Sequence, residues 1–261
     1  MFALLTGDHP QSYTQTHLNL PSLAASPSPS SPPFHNFTLR PRKQTPTAHL
    51  RALVGVVSPE LFDAFPRRHL GMNTWEAVGT GFNGGFVPRN RGTSTKSSVG
   101  WVDVDDDELG SGWYHLSDHE KESRRDAIRK WRVERCWEVL QALGPASWNS
   151  SLPPQKRSAE TITFASTPFS AISPGEQRLV LLMRALVGRP PLVLLDEAWS
   201  GMDDGMMTAA RRYLRGDPLS STTTAGYGMI GVGKDQAVVV ITHWEDEVPW
   251  VGEEVKKFRL E

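Results

Sequence analysis

The sequence predicts an α/β fold built on a mainly parallel sheet, and three short apolar runs predict it. Leu53-Val54-Gly55-Val56-Val57, Leu192 to Leu195 and Ala237 to Thr242 each have the length and apolar content of a buried strand. The second run ends in Asp196-Glu197 and the third in His243, so the first titratable groups stand where each strand leaves the sheet. Helix-period segments separate the runs. Alternation of helix and strand implies crossovers and parallel strands, and such sheets take ligands beyond the strands' carboxyl ends.

Each element has its own local signal. Met1 to Leu5 is apolar and Thr6-Gly7-Asp8-His9-Pro10 stops it, so 1–19 reads as the end of a helix. Pro21 to Pro33 holds ten Ser or Pro among thirteen residues. Such a stretch buries too little apolar surface to offset its ordering entropy, so about Leu20 to Gln44, within a 20–49 insertion, is expected to be disordered. One α/β domain then covers 50–261, with a helical part over about 70–190 and the strand-rich part over 191–261.

Thr74 to Phe82 opens the helical part, and Asn83 to Ser111 reads as a long surface loop. Ser117 and Glu120 have capping-box spacing, and the helix behind them carries Ile128, Trp131, Leu140 and Leu143 until Gly144-Pro145. Ser147 to Thr167 reads as a second polar insertion. Ser173-Pro174-Gly175-Glu176 starts a helix to about Val187, with Leu179, Leu182, Met183 and Leu186 on one face. Met206 to Leu214 is another helix, and Asp217 to Lys234 a glycine-rich excursion.

The totals narrow the class. A chain of 261 residues can bury a real core, and its net charge of -1 offers no pull on nucleic acid or anionic membrane. A lone cysteine, Cys136, excludes an internal disulfide and fits a reducing compartment. No apolar run is long enough to span a bilayer, and the N-terminus lacks the pattern of a secretory signal. The expected location is cytoplasmic; a serine-rich, acid-poor start makes mitochondria the alternative.

Three places carry candidate chemistry. A helix that opens on Ser173-Pro174-Gly175 presents free amides and a positive dipole end to an anion. Ser173 and Glu176 also form a capping box, which on its own describes an ordinary core helix. Asp196 and Glu197 are consecutive at a strand end and point opposite ways, which suits two tasks, although an acidic strand-to-helix turn reads the same. His243 supplies an imidazole at the end of a parallel strand.

Other stretches imitate sites. Gly228 to Asp235 nearly spells a phosphate loop, but Asp235 replaces the hydroxyl and a strand follows. Asp103 to Asp107 lacks the glycine and terminal glutamate of a calcium loop. His115 and His119 have helical spacing but no third ligand. The basic run Arg124 to Arg135 is broken by Asp126 and Glu134 and reads as a solvated helix face.

The ordered set Ser173-Pro174-Gly175-Glu176-Gln177-Arg178, Leu192 to Glu197 and Ser200-Gly201-Met202-Asp203 resembles an ATP-binding-cassette (ABC) nucleotide-binding domain, a P-loop NTPase-like fold. These stretches match its signature motif, Walker B strand and D-loop. Ser58-Pro59-Glu60-Leu61, Gly79-Thr80-Gly81-Phe82 and His243-Trp244-Glu245-Asp246-Glu247-Val248-Pro249 make the chain similar to the soluble molybdenum-transport and photorepair-type ATPases.

The resemblance implies ATP and Mg²⁺ as cofactors and a second cassette as a head-to-tail partner. It implies that Ser173, Gly175 and Glu176 face the γ-phosphate of an ATP on the opposing cassette, and that Asp203 links the two sites. Asp196 would hold Mg²⁺ through water, Glu197 would polarise the attacking water, and His243 would contact the γ-phosphate. Glu176 stands where glutamine is commoner, and Ala198 where proline is. No Q-loop glutamine follows the first strand, and no G-x-x-x-x-G-K-[ST] loop or adenine-stacking segment stands at the front of the chain. The expectation is an ABC-type ATP hydrolase truncated ahead of Met1, or, as the alternative, a non-hydrolysing interaction module. No heptad run precedes the signature, which sets aside chromosome-maintenance ATPase lobes.

Overall fold

The computed structural model describes residues 18–23, 37–66, 71–88, 99–109, 113–217, 231–233, 235–250, 252 and 255–257. The Met1–Leu5 helix and most of the Asp217–Lys234 excursion lie outside the described residues.

Three parallel strands organise the rest: β3 (Val54–Val57), β4 (Leu192–Asp196) and β5 (Ala237–Ile241), in the order β3-β4-β5. The register pairs Val57 with Leu195 and Asp196 with Ile241, so the carboxyl ends are level. The expected fold class is the observed one. Two details differ. Leu53 closes helix α1 (Thr47–Leu53) instead of opening β3. Strand β5 is half-buried and not fully buried, because β4 flanks it on one side and no described strand flanks the other.

The serine-proline stretch is bracketed by order. Strands β1 (Asn19–Leu23) and β2 (Phe37–Pro41) pair antiparallel, from Asn19↔Pro41 to Leu23↔Phe37. Apart from Asn19, both fall inside the segment expected to be disordered. Leu20 is buried and the Ser22 hydroxyl meets His49 Nδ1 at 2.9 Å, so α1 supplies the contacts that the local composition lacks.

Helix α2 (Pro59–Ala64) follows β3 directly, with Ser58 as N-cap and Pro59 in the first turn. Helix α3 (Thr74–Gly79) has an Asn73–Glu76 capping box. Helix α4 (Asp118–Leu143) starts on the expected Ser117–Glu120 box and stops at Gly144. The short α5 (Pro145–Trp148) and then α6 (Arg157–Ser166) occupy the segment expected to be a polar insertion. Thr161, Phe164 and Ala165 of α6 are buried, a sparse apolar face that composition alone hides.

Helix α7 (Pro174–Val187) is the centre of the core. Leu179 to Val187 is buried on every side, including Arg184, where an amphipathic helix was expected. It is enclosed by α3, α4 and β3. Gly55 permits the β3 approach, since a Cβ there would stand 2.1 Å from the Ala185 carbonyl oxygen. Helix α8 (Asp204–Arg215) ends on Gly216 in the left-handed conformation.

Of the Gly228–Asp235 stretch, residues 231–233 and 235 are described. Gly231 packs against the carboxyl end of α8, with a Cβ position 2.8 Å from the Tyr213 carbonyl oxygen, a helix end that repels phosphate. The acidic stretch covers the basic face of α4 instead of leaving it to solvent. Asp106 pairs Arg125, Glu108 pairs Arg132 at 2.7 Å, and the Trp101 ring lies 4.2 Å from the Arg129 guanidinium.

Candidate functional site

The level strand ends bring three of the predicted residues together. Asp196 is the last residue of β4. Its carboxyl is raised above the ordinary aspartate range, first by burial and then by the charges of Glu60 and Glu197. Glu60, in the first turn of α2, is held below its ordinary range by its own N–H and then by Ser58. A cation beside Asp196 would offset the repulsion from Glu60 and Glu197, so these carboxylates are donors of the kind a divalent ion takes. Among the described residues no three His, Cys, Asp or Glu side chains are disposed to hold a metal alone. An ion held at Asp196 would take its remaining positions from water or ligand oxygens, as a hard, reluctantly dehydrated ion prefers.

Glu197 leaves the strand with φ +47°, in the left-handed region. Its amide donates to the Ile241 carbonyl at 3.0 Å, and its carbonyl accepts from the Ser200 amide at 3.3 Å. Glu197 thus stands in a left-handed turn just past β4, where strand alternation no longer sets its direction. That turn places Glu197 Oε1 3.2 Å from His243 Nε2, just beyond β5. Both side chains remain open to solvent, at 47% and 82% exposure, so neither is there for packing. Thr242 spans His243: its Oγ1 accepts from the Trp244 amide at 3.1 Å.

The second cluster surrounds the start of α7. Ser173 Oγ accepts from the Glu176 amide at 3.3 Å, and the Ser173 amide donates to Glu176 Oε2 at 2.8 Å. The Glu176 carboxylate thus folds back over the exposed tip. Buried Gln177 donates to the Phe169 and Ile172 carbonyls and fixes the entry of the chain. Gly175 abuts the turn after β4, where a Cβ would stand 2.6 Å from the Gly201 carbonyl oxygen. Asp203 caps α8, accepting from the Met206 amide at 2.8 Å.

No described hydrogen bond joins Ser173 to Asp196, Glu197 or His243; the two clusters meet through the Ser200–Met202 turn. Sequence reasoning counted Arg178 in the motif but gave it no role; its Nη1 donates to the Ser200 carbonyl and its guanidinium lies 4.6 Å from the Phe62 ring. Glu60 likewise had no role assigned. Its signals were a carboxylate three residues beyond a buried strand and its place in the Ser58-Pro59-Glu60-Leu61 stretch.

Comparison with known proteins finds similar segments. The chain is 40% identical over 82 residues to the ABC transporter ATP-binding protein C323.04 of Schizosaccharomyces pombe, covering 31% of this chain and 14% of that protein. It is 36% identical over 85 residues to the ABC transporter ATP-binding protein ModF of Escherichia coli, covering 33% and 17%. It is 42% identical over 65 residues to the Fe(3+) ions import ATP-binding protein FbpC 2 of Pectobacterium atrosepticum, covering 22% and 19%. The matched segments thus span less than a fifth of each relative's length. No family model matches. A dimeric, post-hydrolysis ATP-binding cassette, MJ0796 bound to ADP and Pi, aligns over 79% of this chain and 60% of its own at 18% identity, with a TM-score of 0.38. That likeness is too distant to fix residue correspondences.

Proposed function

Because segments of this chain are homologous to ABC transporter ATP-binding proteins, we propose that it works as part of an ABC-type ATPase. In that reading it hydrolyses ATP together with a second cassette. One observation carries the reading: Glu197 and His243 meet at 3.2 Å, beside Asp196, at the level ends of adjacent parallel strands.

Glu197 is the general base in this scheme. Its carboxylate, open to solvent, takes a proton from a water at the strand ends. His243 orients that carboxylate and stabilises charge on the phosphoryl group. Asp196 is the residue that would hold Mg²⁺, whose contribution is to neutralise phosphate charge. The α7 tip, with Ser173 and Gly175, faces the nucleotide of the partner cassette, and Glu176 guards it. Asp203 fixes the α8 start and, through it, the turn that touches the partner. No helix among the described residues is long and apolar enough to cross a membrane.

The test is Mg-ATP turnover by the purified chain mixed with a complete cassette. Turnover above that of the complete cassette alone, lost in Glu197→Gln, is the expected result. Equal turnover in wild type and Glu197→Gln overturns the assignment. Sustained inhibition of the partner's own activity would instead favour a regulatory, non-hydrolysing module.

A further inference from the structure

We propose that Arg178 is a positioning residue that couples the α7 tip to the Glu197–His243 pair. What the pair does rests on the reading above; the connection itself rests on geometry alone. Arg178 lies one turn and a half into α7 from Ser173, and its Nη1 donates to the Ser200 carbonyl. The Ser200 amide donates to the Glu197 carbonyl at 3.3 Å, and the Glu197 carboxylate meets His243 at 3.2 Å. One continuous set of contacts therefore runs from the signature helix to the histidine.

Two further contacts make the connection stiff. The planar guanidinium rests on Phe62 of α2 at 4.6 Å, so it cannot swing away from Ser200 without losing that stack. Gly175 has no slack against Gly201, where even a methyl group would collide. A displacement of the α7 tip is therefore passed to the Ser200–Gly201 turn, because close-packed contacts shift together and do not stretch. Glu197 occupies the far end of that turn in a left-handed conformation, which a small rotation changes. In a head-to-tail pair the tip faces one nucleotide and the base serves the other. Arg178 thereby ties the position of the tip to the position of the base.

The experiment needs no turnover. In the full chain, amide exchange is measured at Glu197 and Ser200, and the imidazole resonances of His243 are followed, for Arg178→Met and Arg178→Lys. Arg178→Met should speed Ser200 exchange about tenfold, the effect of one ordinary hydrogen bond. It should also shift the His243 resonances, and should shift them less in a Glu197→Gln background, where the carboxylate contact is already altered. Arg178→Lys, which keeps a donor but no planar stack, should recover part of the effect. Arg178→Gln gives the same readout if the Met variant does not fold.

If only the first turn of α7 loosens while Glu197 and His243 are unmoved, Arg178 is a local staple and the proposal fails. Binding of a trinitrophenyl-ATP probe with Mg²⁺ separates this outcome from the functional reading. A His243 response in a chain that never binds the probe, alone or with a complete cassette, keeps the coupling and removes the ATPase. Turnover that proceeds without any His243 response does the reverse.

Discussion

Glu197 Oε1 and His243 Nε2 lie 3.2 Å apart across the ends of β4 and β5, although 46 residues separate them in the chain. Their exposure means that the contact adds little to stability, since a solvated ion pair contributes about 0–1 kcal/mol. Glu197→Gln should therefore leave the unfolding midpoint nearly unchanged. Turnover in the reconstituted pair should fall about a hundredfold or more, the usual contribution of a general base. Thermal melting and steady-state hydrolysis check the two halves of this expectation.

The left-handed backbone at Glu197 gives a separate prediction. Glycine adopts φ near +47° without the Cβ clash that glutamate suffers. Glu197→Gly should be more stable by about 0.5–1 kcal/mol, while losing activity as fully as the glutamine variant. A urea unfolding series on both variants and the wild type decides it. Equal stability of all three would mean that the turn carries no strain.

Asp196 predicts a pH dependence. Its folded-state value is raised, so the folded state binds a proton more tightly than the unfolded chain does. The penalty is absent below the ordinary aspartate value of 3.8 and grows as pH rises above it. Asp196→Asn should accordingly melt higher than wild type at neutral pH, and the gap should close in acid. Magnesium with ATP should reduce the gap from the other side, by stabilising the wild type alone.

Glu176 folds its carboxylate over the tip that is proposed to face an anion. Glu176→Gln keeps an oxygen for the Ser173 amide and removes the charge. It should cost about 0.3–1 kcal/mol through the lost dipole interaction. It should also lower, several-fold, the Mg-ATP concentration needed for pairing with a complete cassette, as read by sedimentation. An unchanged requirement would mean that the tip does not meet nucleotide.

The buried end of α7 makes the strongest stability prediction. Arg135 donates to the Leu186 and Val187 carbonyls and, at 2.7 Å, to the Tyr213 hydroxyl, and it pairs with Glu138. Arg135→Met leaves those carbonyls and a buried carboxylate without their partner, at a cost of about 3–5 kcal/mol. Tyr213→Phe removes one bond and should cost about 1 kcal/mol. Equilibrium denaturation of the two variants checks the ratio.

Local signals determined a good deal. The Ser117 and Ser173 caps, the stop at Gly144, the strand end at Asp196, the strand ahead of His243 and the helix before Gly216 were all readable, because each depends on residues within one or two turns of itself. The motif order alone placed the candidate chemistry at strand ends.

Tertiary contacts decided the rest. The pairing of β1 with β2, the burial of α6 and the burial of α7 on all sides depend on partners distant in sequence, whose packing energy leaves no periodic trace. The same holds for the left-handed exit at Glu197 and the hold of Arg178 on Ser200. A side chain's type announces which bonds it is able to make. Which bond forms depends on what the fold sets within 3 Å of it.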